Sequence, residues 1–211
     1  MRITLVAVFA LLAAALPARA NDPITLVAFG DSLTAGYQLG PDEGFAERLQ
    51  AKLAERGEDV RVVDAGVSGD TTSGGLSRLD WSVSSDADGV ILELGGNDAL
   101  RGIDPSTTEA NLDKMLTRLS ERDLPVLLAG MLAPPNMGPD YEAAFNPIFE
   151  RLATKHDAIY YPFFLEGVAG NADLGLGDGI HPNAAGVDVM VDNILPSVEK
   201  LIDRIRRRAP S

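Results

Sequence analysis

The sequence predicts a single α/β domain built on a parallel sheet. Short, nearly uninterrupted apolar runs alternate with longer stretches whose apolar residues recur at helical spacing. Strands without polar alternation are typical of a parallel sheet that helices cover on both faces. No internal repeat, low-complexity segment or linker divides the chain, and its 45% hydrophobic and 23% charged residues are ordinary for a globular protein.

Five apolar runs are the predicted strands, and helical patterns lie between them. The strands are predicted at 24–29, 60–63, 89–94, 125–129 and 158–161. The helices are predicted around 45–53, 76–83, 112–119, 139–155 and 187–205. Gly57 is a stop signal for the first helix. Asp104 and Pro105 open the third as N-cap and first helical residue, and Pro196 predicts a kink in the last.

The first twenty residues have the pattern of a secretory signal peptide. A positive start precedes the uncharged run 3–16, Pro17 breaks that run, and residues 18–20 form a small-x-small cleavage site. A retained anchor is the less favoured alternative, because the run 3–16 is shorter than the span of about twenty residues that crosses a membrane. We therefore expect residues 1–20 to be removed and 21–211 to form the domain. The protein would be exported, periplasmic or secreted, without stable membrane insertion.

Composition excludes several classes of protein. The chain has no Cys, which excludes a disulfide framework, a cysteine nucleophile and thiolate metal sites. A formal net charge of −13 disfavours a nucleic-acid partner, because the chain would repel phosphate backbones. A histidine mechanism must use His156 or His181. His156 precedes a strand, so we expect it at the far end of the sheet in a structural role.

Four glycine-rich polar turns are predicted to meet at the carboxyl ends of the strands, where such sheets bind ligands. Each turn alone could be ordinary turn or capping chemistry. Together they supply a hydrolytic site. Ser32 would be the nucleophile, at a strand-to-helix turn whose helix N-terminus favours negative charge, with His181 as base and Asp178 orienting it. The candidate oxyanion donors are the backbone N–H groups of Ser32 and Gly69 and the amide of Asn97.

These turns resemble the sequence blocks of the SGNH, or GDSL, hydrolases. Residues 30–33 read Gly-Asp-Ser-Leu, and Asp178 to His181 is an Asp-x-x-His block. The residues that name the family occur in its order: Ser32, Gly69, Asn97 and His181. Residues 30–37 and 94–98 are most similar to the bacterial arylesterase, thioesterase I and lysophospholipase branch. The resemblance implies a flavodoxin-like three-layer α/β/α fold, a five-stranded sheet of order 2-1-3-4-5, and a serine esterase without metal or other cofactor.

We therefore expect an esterase that forms an acyl-serine intermediate, and we expect it to be a monomer. Its substrates would be short-to-medium acyl or aryl esters, followed by lysophospholipids and thioesters. One alternative is a metal-dependent phosphoesterase, with a ligand set of Asp31, Asn97, Asp98, Asp178 and His181. The other is a carbohydrate- or lipid-binding module without catalysis, since a fold does not determine function.

Three further features leave alternatives open. Asp31 and Asp98 could be catalytic, but positioning the loops is the favoured interpretation. Glu93 interrupts an apolar strand and needs a partner, for which Arg78 and Arg101 are both candidates. The apolar residues of 131–137 and 162–176 could form an acyl or aryl pocket or simply pack beneath the loops.

Overall fold

Five parallel strands form one sheet in the order β2-β1-β3-β4-β5, which confirms the predicted fold. The structure is a computed structural model and describes residues 23–208, so the predicted signal peptide lies outside the described residues. The strands are β1 (Ile24–Gly30), β2 (Val60–Gly66), β3 (Gly89–Glu93), β4 (Val126–Ala129) and β5 (Ile159–Tyr161). The three inner strands are almost completely buried, whereas β2 and β5 at the edges are partly exposed.

Seven α-helices cover the two faces of this sheet within the described residues. They are α1 (Phe45–Glu55), α2 (Thr72–Ser82), α3 (Gly96–Leu100), α4 (Pro105–Glu121), α5 (Pro139–Phe145), α6 (Ile148–Lys155) and α7 (Ala184–Arg208). Helices α1 and α7 pack together on one face, and α2, α4 and α6 pack on the other. The result is the three-layer arrangement that the sequence predicted. None of the helices in the described part of the chain combines the length and apolarity that a membrane crossing requires.

The predicted helix ends are partly confirmed. The side chain of Asp104 accepts a hydrogen bond from the backbone N–H of Ser106 at 2.9 Å, so it caps α4 as predicted. The single helix predicted over 139–155 is wrong, because α5 and α6 are separate helices. Pro147 lacks an N–H, so it cannot donate the hydrogen bond that would continue α5, although the backbone of Asn146 is still helical. The side chain of Asn146 accepts a hydrogen bond from the backbone N–H of Ala133 at 2.8 Å.

One helix was not predicted, and the last helix extends slightly beyond its predicted range. The five-residue helix α3 was not predicted, since it has no apolar periodicity and follows Gly95, whose φ of 120° is open mainly to glycine. Helix α7 continues through Pro196 to Arg208. At its end, Arg204 and Arg208 donate hydrogen bonds to the backbone carbonyls of Asp157 and Asp123. These carbonyls follow α6 and α4, so α7 binds two other helix ends at the amino end of the sheet.

Candidate active site

Ser32, His181 and Asp178 lie in one hydrogen-bonded row at the carboxyl end of the sheet. His181 Nε2 lies 2.8 Å from Ser32 Oγ, and His181 Nδ1 lies 2.6 Å from Asp178 Oδ2. Ser32 is 8% exposed, so only a narrow opening connects it with solvent. The fold therefore brings together the three residues that the sequence predicted as nucleophile, base and orienting acid.

The loop before α7 holds the carboxylate of Asp178 in place. Asp178 Oδ1 accepts hydrogen bonds from the backbone N–H groups of Ile180 and His181, both at 2.9 Å. The pKa of Asp178 is lowered to about 2, first by the backbone bond from His181, then by its imidazole and by the Ile180 N–H. An ionised carboxylate only accepts hydrogen bonds, so Nδ1 carries the proton and Nε2 is left to accept the Ser32 hydroxyl.

Ser32 lies in a run of turns, and the predicted helix N-terminus beside it is wrong. Residues 31–38 form successive turns, and α1 begins only at Phe45. Gly36 has a φ of 64°, which ends any helical continuation after Ser32. The backbone bends back because the Tyr37 N–H donates to the Ser32 carbonyl at 3.2 Å. Negative charge at Ser32 therefore depends on local N–H donors rather than on a helix dipole.

The proposed oxyanion donors lie on the turns that follow β2 and β3. Gly69 has a φ of 81°, and its carbonyl accepts a hydrogen bond from Arg101 at 2.7 Å. Asn97 is on the first turn of α3 and donates one amide hydrogen from Nδ2 to Asp31 Oδ2 at 2.8 Å. This bond fixes the orientation of the amide group and leaves its second hydrogen available to an oxyanion.

Two buried carboxyl groups lie beneath the nucleophile turn. Asp31 and Glu93 are each 1% exposed. Burial is the main cause that raises the pKa of Asp31 to about 6. Burial, followed by the charge of Asp31, raises the pKa of Glu93 well above its ordinary value. Gly30 permits this packing, because a Cβ there would lie 2.6 Å from Glu93 Oε2.

Neither arginine suggested by the sequence is the partner of Glu93. Glu93 Oε2 instead accepts hydrogen bonds from the Asp31 N–H at 3.2 Å and the Thr34 hydroxyl at 3.0 Å. Arg78 pairs with Asp70 at 2.7 Å, while Arg101 reaches Gly69. A protonated Glu93 needs no cation, which explains why the prediction of an arginine partner failed.

Asp98 does not face the catalytic row. Its Oδ2 accepts from the backbone N–H of Thr72 at 2.9 Å, and its Oδ1 accepts from the Thr108 hydroxyl at 3.1 Å. These bonds tie α3 to α2 and α4, in the positioning role favoured by the sequence. In residues 23–208, no three or more His, Cys, Asp or Glu side chains are grouped as metal ligands. The ligand set of the phosphoesterase alternative is therefore not assembled.

Exposed apolar side chains are concentrated at the carboxyl end of the sheet. Five of the six large hydrophobic side chains exposed in the described residues lie on segments that follow the strands' carboxyl ends: Tyr37, Val67, Leu100, Leu132 and Ile180. A cavity of about 240 Å³ beside His181 includes Leu165, Val168 and Ala169 in its lining. Phe164 is fully buried in the core. The segment 162–176 thus contributes both to packing and to a pocket.

Sequence reasoning missed one contact of the catalytic row. The ring of Tyr37 lies against the imidazole of His181, with 4.5 Å between the ring centroids. No periodic pattern indicated this contact, because Tyr37 reaches His181 through two left-handed backbone positions rather than through a regular element. His156 lies at the amino end, before β5, as predicted.

Comparison with known proteins identifies the family. The GDSL-like lipase/acylhydrolase family profile matches residues 28–189. Esterase TesA of Pseudomonas aeruginosa is 40% identical over 84% of this chain and 89% of its own length. Arylesterase of Vibrio mimicus is 38% identical over 74% of this chain and 79% of its own length.

Solved structures agree with this identification. The crystal structure of TesA superposes with a TM-score of 0.80 and 40% identity, covering 84% of this chain and 99% of that one. That of AlinE4, an SGNH-hydrolase family esterase, has a TM-score of 0.73 and 43% identity, covering 85% of this chain and 97% of that one. The chain therefore belongs to the GDSL-like lipase/acylhydrolase family and is an SGNH-type serine ester hydrolase, as its sequence blocks predicted.

Proposed function

We propose that this enzyme hydrolyses carboxylic esters with Ser32 as nucleophile, His181 as general base and acid, and Asp178 as the group that orients His181. The observation that carries the proposal is the position of the imidazole, 2.8 Å from the Ser32 hydroxyl and 2.6 Å from the Asp178 carboxylate. Both distances lie within the range for proton transfer and for charge-assisted hydrogen bonds.

In acylation, Ser32 Oγ attacks the ester carbonyl carbon while its proton moves to His181 Nε2. The carbonyl oxygen becomes an oxyanion, which receives hydrogen bonds from the Ser32 and Gly69 N–H groups and from Asn97 Nδ2. Collapse of this intermediate breaks the carbon–oxygen bond to the alcohol, and His181 returns the proton to the departing oxygen. The products of this step are the free alcohol and acyl-Ser32.

Deacylation repeats the sequence with water in place of Ser32. His181 Nε2 takes a proton from water, the resulting hydroxyl adds to the acyl carbon, and the same donors hold the oxyanion. Ser32 then leaves with the proton that His181 returns. Asp178 remains ionised throughout, which agrees with a pKa of about 2.

The surroundings of the site favour uncharged or zwitterionic esters. Exposed apolar side chains lie at the same end of the sheet as Ser32, and a cavity beside His181 is lined by Leu165, Val168 and Ala169, as in ligand sites for apolar groups. A chain of net charge −13 does not attract polyanions, which makes acyl-CoA a less favoured substrate. We propose short-to-medium acyl or aryl esters first, with lysophospholipids and simple thioesters next. One relative, from Escherichia coli K12, is named thioesterase 1/protease 1/lysophospholipase L1 and is 34% identical over 88% of each chain.

The test is hydrolysis of p-nitrophenyl esters from acetate to palmitate by the wild type and by Ser32→Ala, each with and without EDTA. We expect Ser32→Ala to lose at least about 10³-fold in kcat and EDTA to have no effect. Ser77→Ala is the matched control, because Ser77 is exposed on α2 and bonds only to its own helix backbone. Retained turnover in Ser32→Ala, or loss with EDTA, would contradict the serine mechanism.

We also propose that the active form is an exported domain of residues 21–211. The support is the apolar run and cleavage site in residues 1–20, together with a described fold in which β1 starts at Ile24, just after that site. The intact mass of the protein recovered from the periplasm or medium tests the cleavage site. Protein recovered there with residues 1–20 still attached would contradict it.

A further inference from the structure

The ring of Tyr37 lies against the imidazole of His181. The centroids of the Tyr37 and His181 rings are 4.5 Å apart, and the ring planes are tilted by 36°. Tyr37 is 38% exposed, so one face lies against His181 while part of the ring faces the opening. It follows Ser32 in the same run of turns, and its N–H donates to the Ser32 carbonyl at 3.2 Å. Tyr37 therefore contacts both the proposed base, through its ring, and the proposed nucleophile, through its backbone.

The backbone around Tyr37 is held in an unfavourable conformation. Gly36 and Gln38, on either side of it, have φ values of 64° and 59°. Glycine adopts this left-handed region freely, but a residue with a Cβ, such as glutamine, adopts it only at an energetic cost. Gln38 Nε2 donates to the Tyr37 hydroxyl at 3.0 Å, in an exposed contact at the rim of the ring. Strain of this kind at an active site is an observation from which a functional role is inferred.

The ring face that meets His181 suits a cation. The face of an aromatic ring carries partial negative charge and attracts a cation within about 6 Å of its centroid. His181 becomes a cation when it takes the proton of Ser32, and again when it takes a proton from water. Tyr37 therefore favours the protonated form of His181, which both of these steps require.

Other charged groups also act on His181. Asp178, on the same loop, is 2.6 Å from Nδ1. Asp31, from the nucleophile turn, is buried close enough for its charge and that of His181 to interact. Tyr37 contributes its own phenol, and Arg101, directly after α3, lies at the neighbouring Gly69 turn. Substitution of Tyr37 leaves all three charged groups in place, so a change in His181 titration would report the ring itself.

We propose that Tyr37 is a positioning residue that holds the imidazole of His181 between Asp178 and Ser32 and stabilises its imidazolium form through the face of its ring. The proposal rests on the proposed catalytic role of His181. It assigns to Tyr37 a part in catalysis that needs the aromatic ring and not the phenolic hydroxyl.

The direct test is an NMR titration of the histidine ring resonances. The chain contains two histidines, so the spectrum has two Hε1 signals, which His156→Gln assigns. We expect the titration midpoint of the His181 signal to fall by about 0.4–0.7 pH units in Tyr37→Leu. Leucine keeps an apolar cover over the imidazole but removes the π face. Tyr37→Phe keeps the ring, so its midpoint should stay at the wild-type value.

The His156 signal serves as an internal control, because it lies at the opposite end of the sheet and should not move in either variant. In parallel, kcat for a p-nitrophenyl ester should fall about 2–5-fold in Tyr37→Leu and recover in Tyr37→Phe. An unchanged or raised midpoint in Tyr37→Leu would overturn the proposal, since better hydration alone would raise it. A fall of equal size in Tyr37→Phe would also overturn it, because the hydroxyl would then be responsible.

The titration separates this proposal from the proposed function. Ser32→Ala should abolish turnover while leaving the effect of Tyr37 on the His181 signal intact. Persistent turnover in Ser32→Ala would contradict the serine mechanism and would leave the ring effect to be judged by the titration alone.

Discussion

The two ends of the sheet each contain a histidine paired with an aspartate, at almost the same distance. His181 lies 2.6 Å from Asp178 at the carboxyl end, and His156 lies 2.5 Å from Asp113 at the amino end. Both imidazoles are mostly buried, with side chains 15% and 12% exposed. Distance and burial alone therefore do not distinguish the proposed catalytic pair from the structural one.

The two pairs differ in which imidazole nitrogen binds the aspartate and in the further residue that each pair contacts. Asp178 binds Nδ1, which leaves Nε2 of His181 facing the Ser32 hydroxyl. Asp113 binds Nε2 of His156 and also accepts from Lys155 at 2.7 Å. The amino-end pair thus holds α6 to α4 and offers no nucleophile. A histidine–aspartate pair becomes a catalytic device only where the fold places a hydroxyl on the free nitrogen.

The largest effect is expected when the aspartate of each pair is replaced in turn. Asp178→Asn should lower kcat by roughly 10³–10⁴-fold, because an amide no longer fixes the tautomer or stabilises imidazolium. Asp113→Asn should leave kcat unchanged and cost about 1 kcal/mol or less of stability, since its ion pair is largely exposed. Steady-state kinetics and urea unfolding of both variants measure this. Equal losses of activity would show that the two pairs are not functionally distinct.

A second substitution examines what the carboxyl end supplies besides its histidine. Asn97→Ala should lower kcat by about 10²–10³-fold with little change in KM, because the amide is required when the oxyanion forms. Asn193→Ala is the matched control, since Asn193 is exposed and bonds to the Glu166 carbonyl on the surface. A loss confined to KM would place Asn97 in substrate binding instead.

The smallest expected effect is on the pH dependence of stability, and it compares a carboxyl group from each end of the sheet. Lys155 and then His156 lower the pKa of Asp113 at the amino end, whereas burial raises that of Glu93 beneath the catalytic end. A buried acid with a raised pKa stabilises the fold fully below its ordinary pKa. That stability is lost as the pH rises toward the folded-state value, at up to about 1.4 kcal/mol per pH unit.

Glu93→Gln should therefore lose less stability than the wild type between pH 5 and pH 8, because glutamine does not ionise. Urea midpoints at several pH values measure the difference, with the exposed Glu121→Gln as control. Parallel curves for Glu93→Gln and the wild type would show that Glu93 ionises as easily when folded as when unfolded.

Much of this arrangement was predictable because it follows from local pattern. Apolar runs located the five strands, and parallel strands oblige the turns after them to meet at one edge, which brought Ser32 and His181 together. The partners of Glu93 were not predictable, since they depend on the close packing that Gly30 permits. The position of Tyr37 over His181 depends on two left-handed residues, one of which is not glycine.

The bond between Ser32 and His181 joins residues 149 positions apart. His181 lies on the loop that leads into α7, and α7 packs against α1, β3, β4 and β5. The catalytic row therefore cannot form until almost the whole chain has left the ribosome and its last helix has docked. Esterase activity therefore requires completed folding. The rate at which activity recovers during refolding measures the rate at which α7 docks.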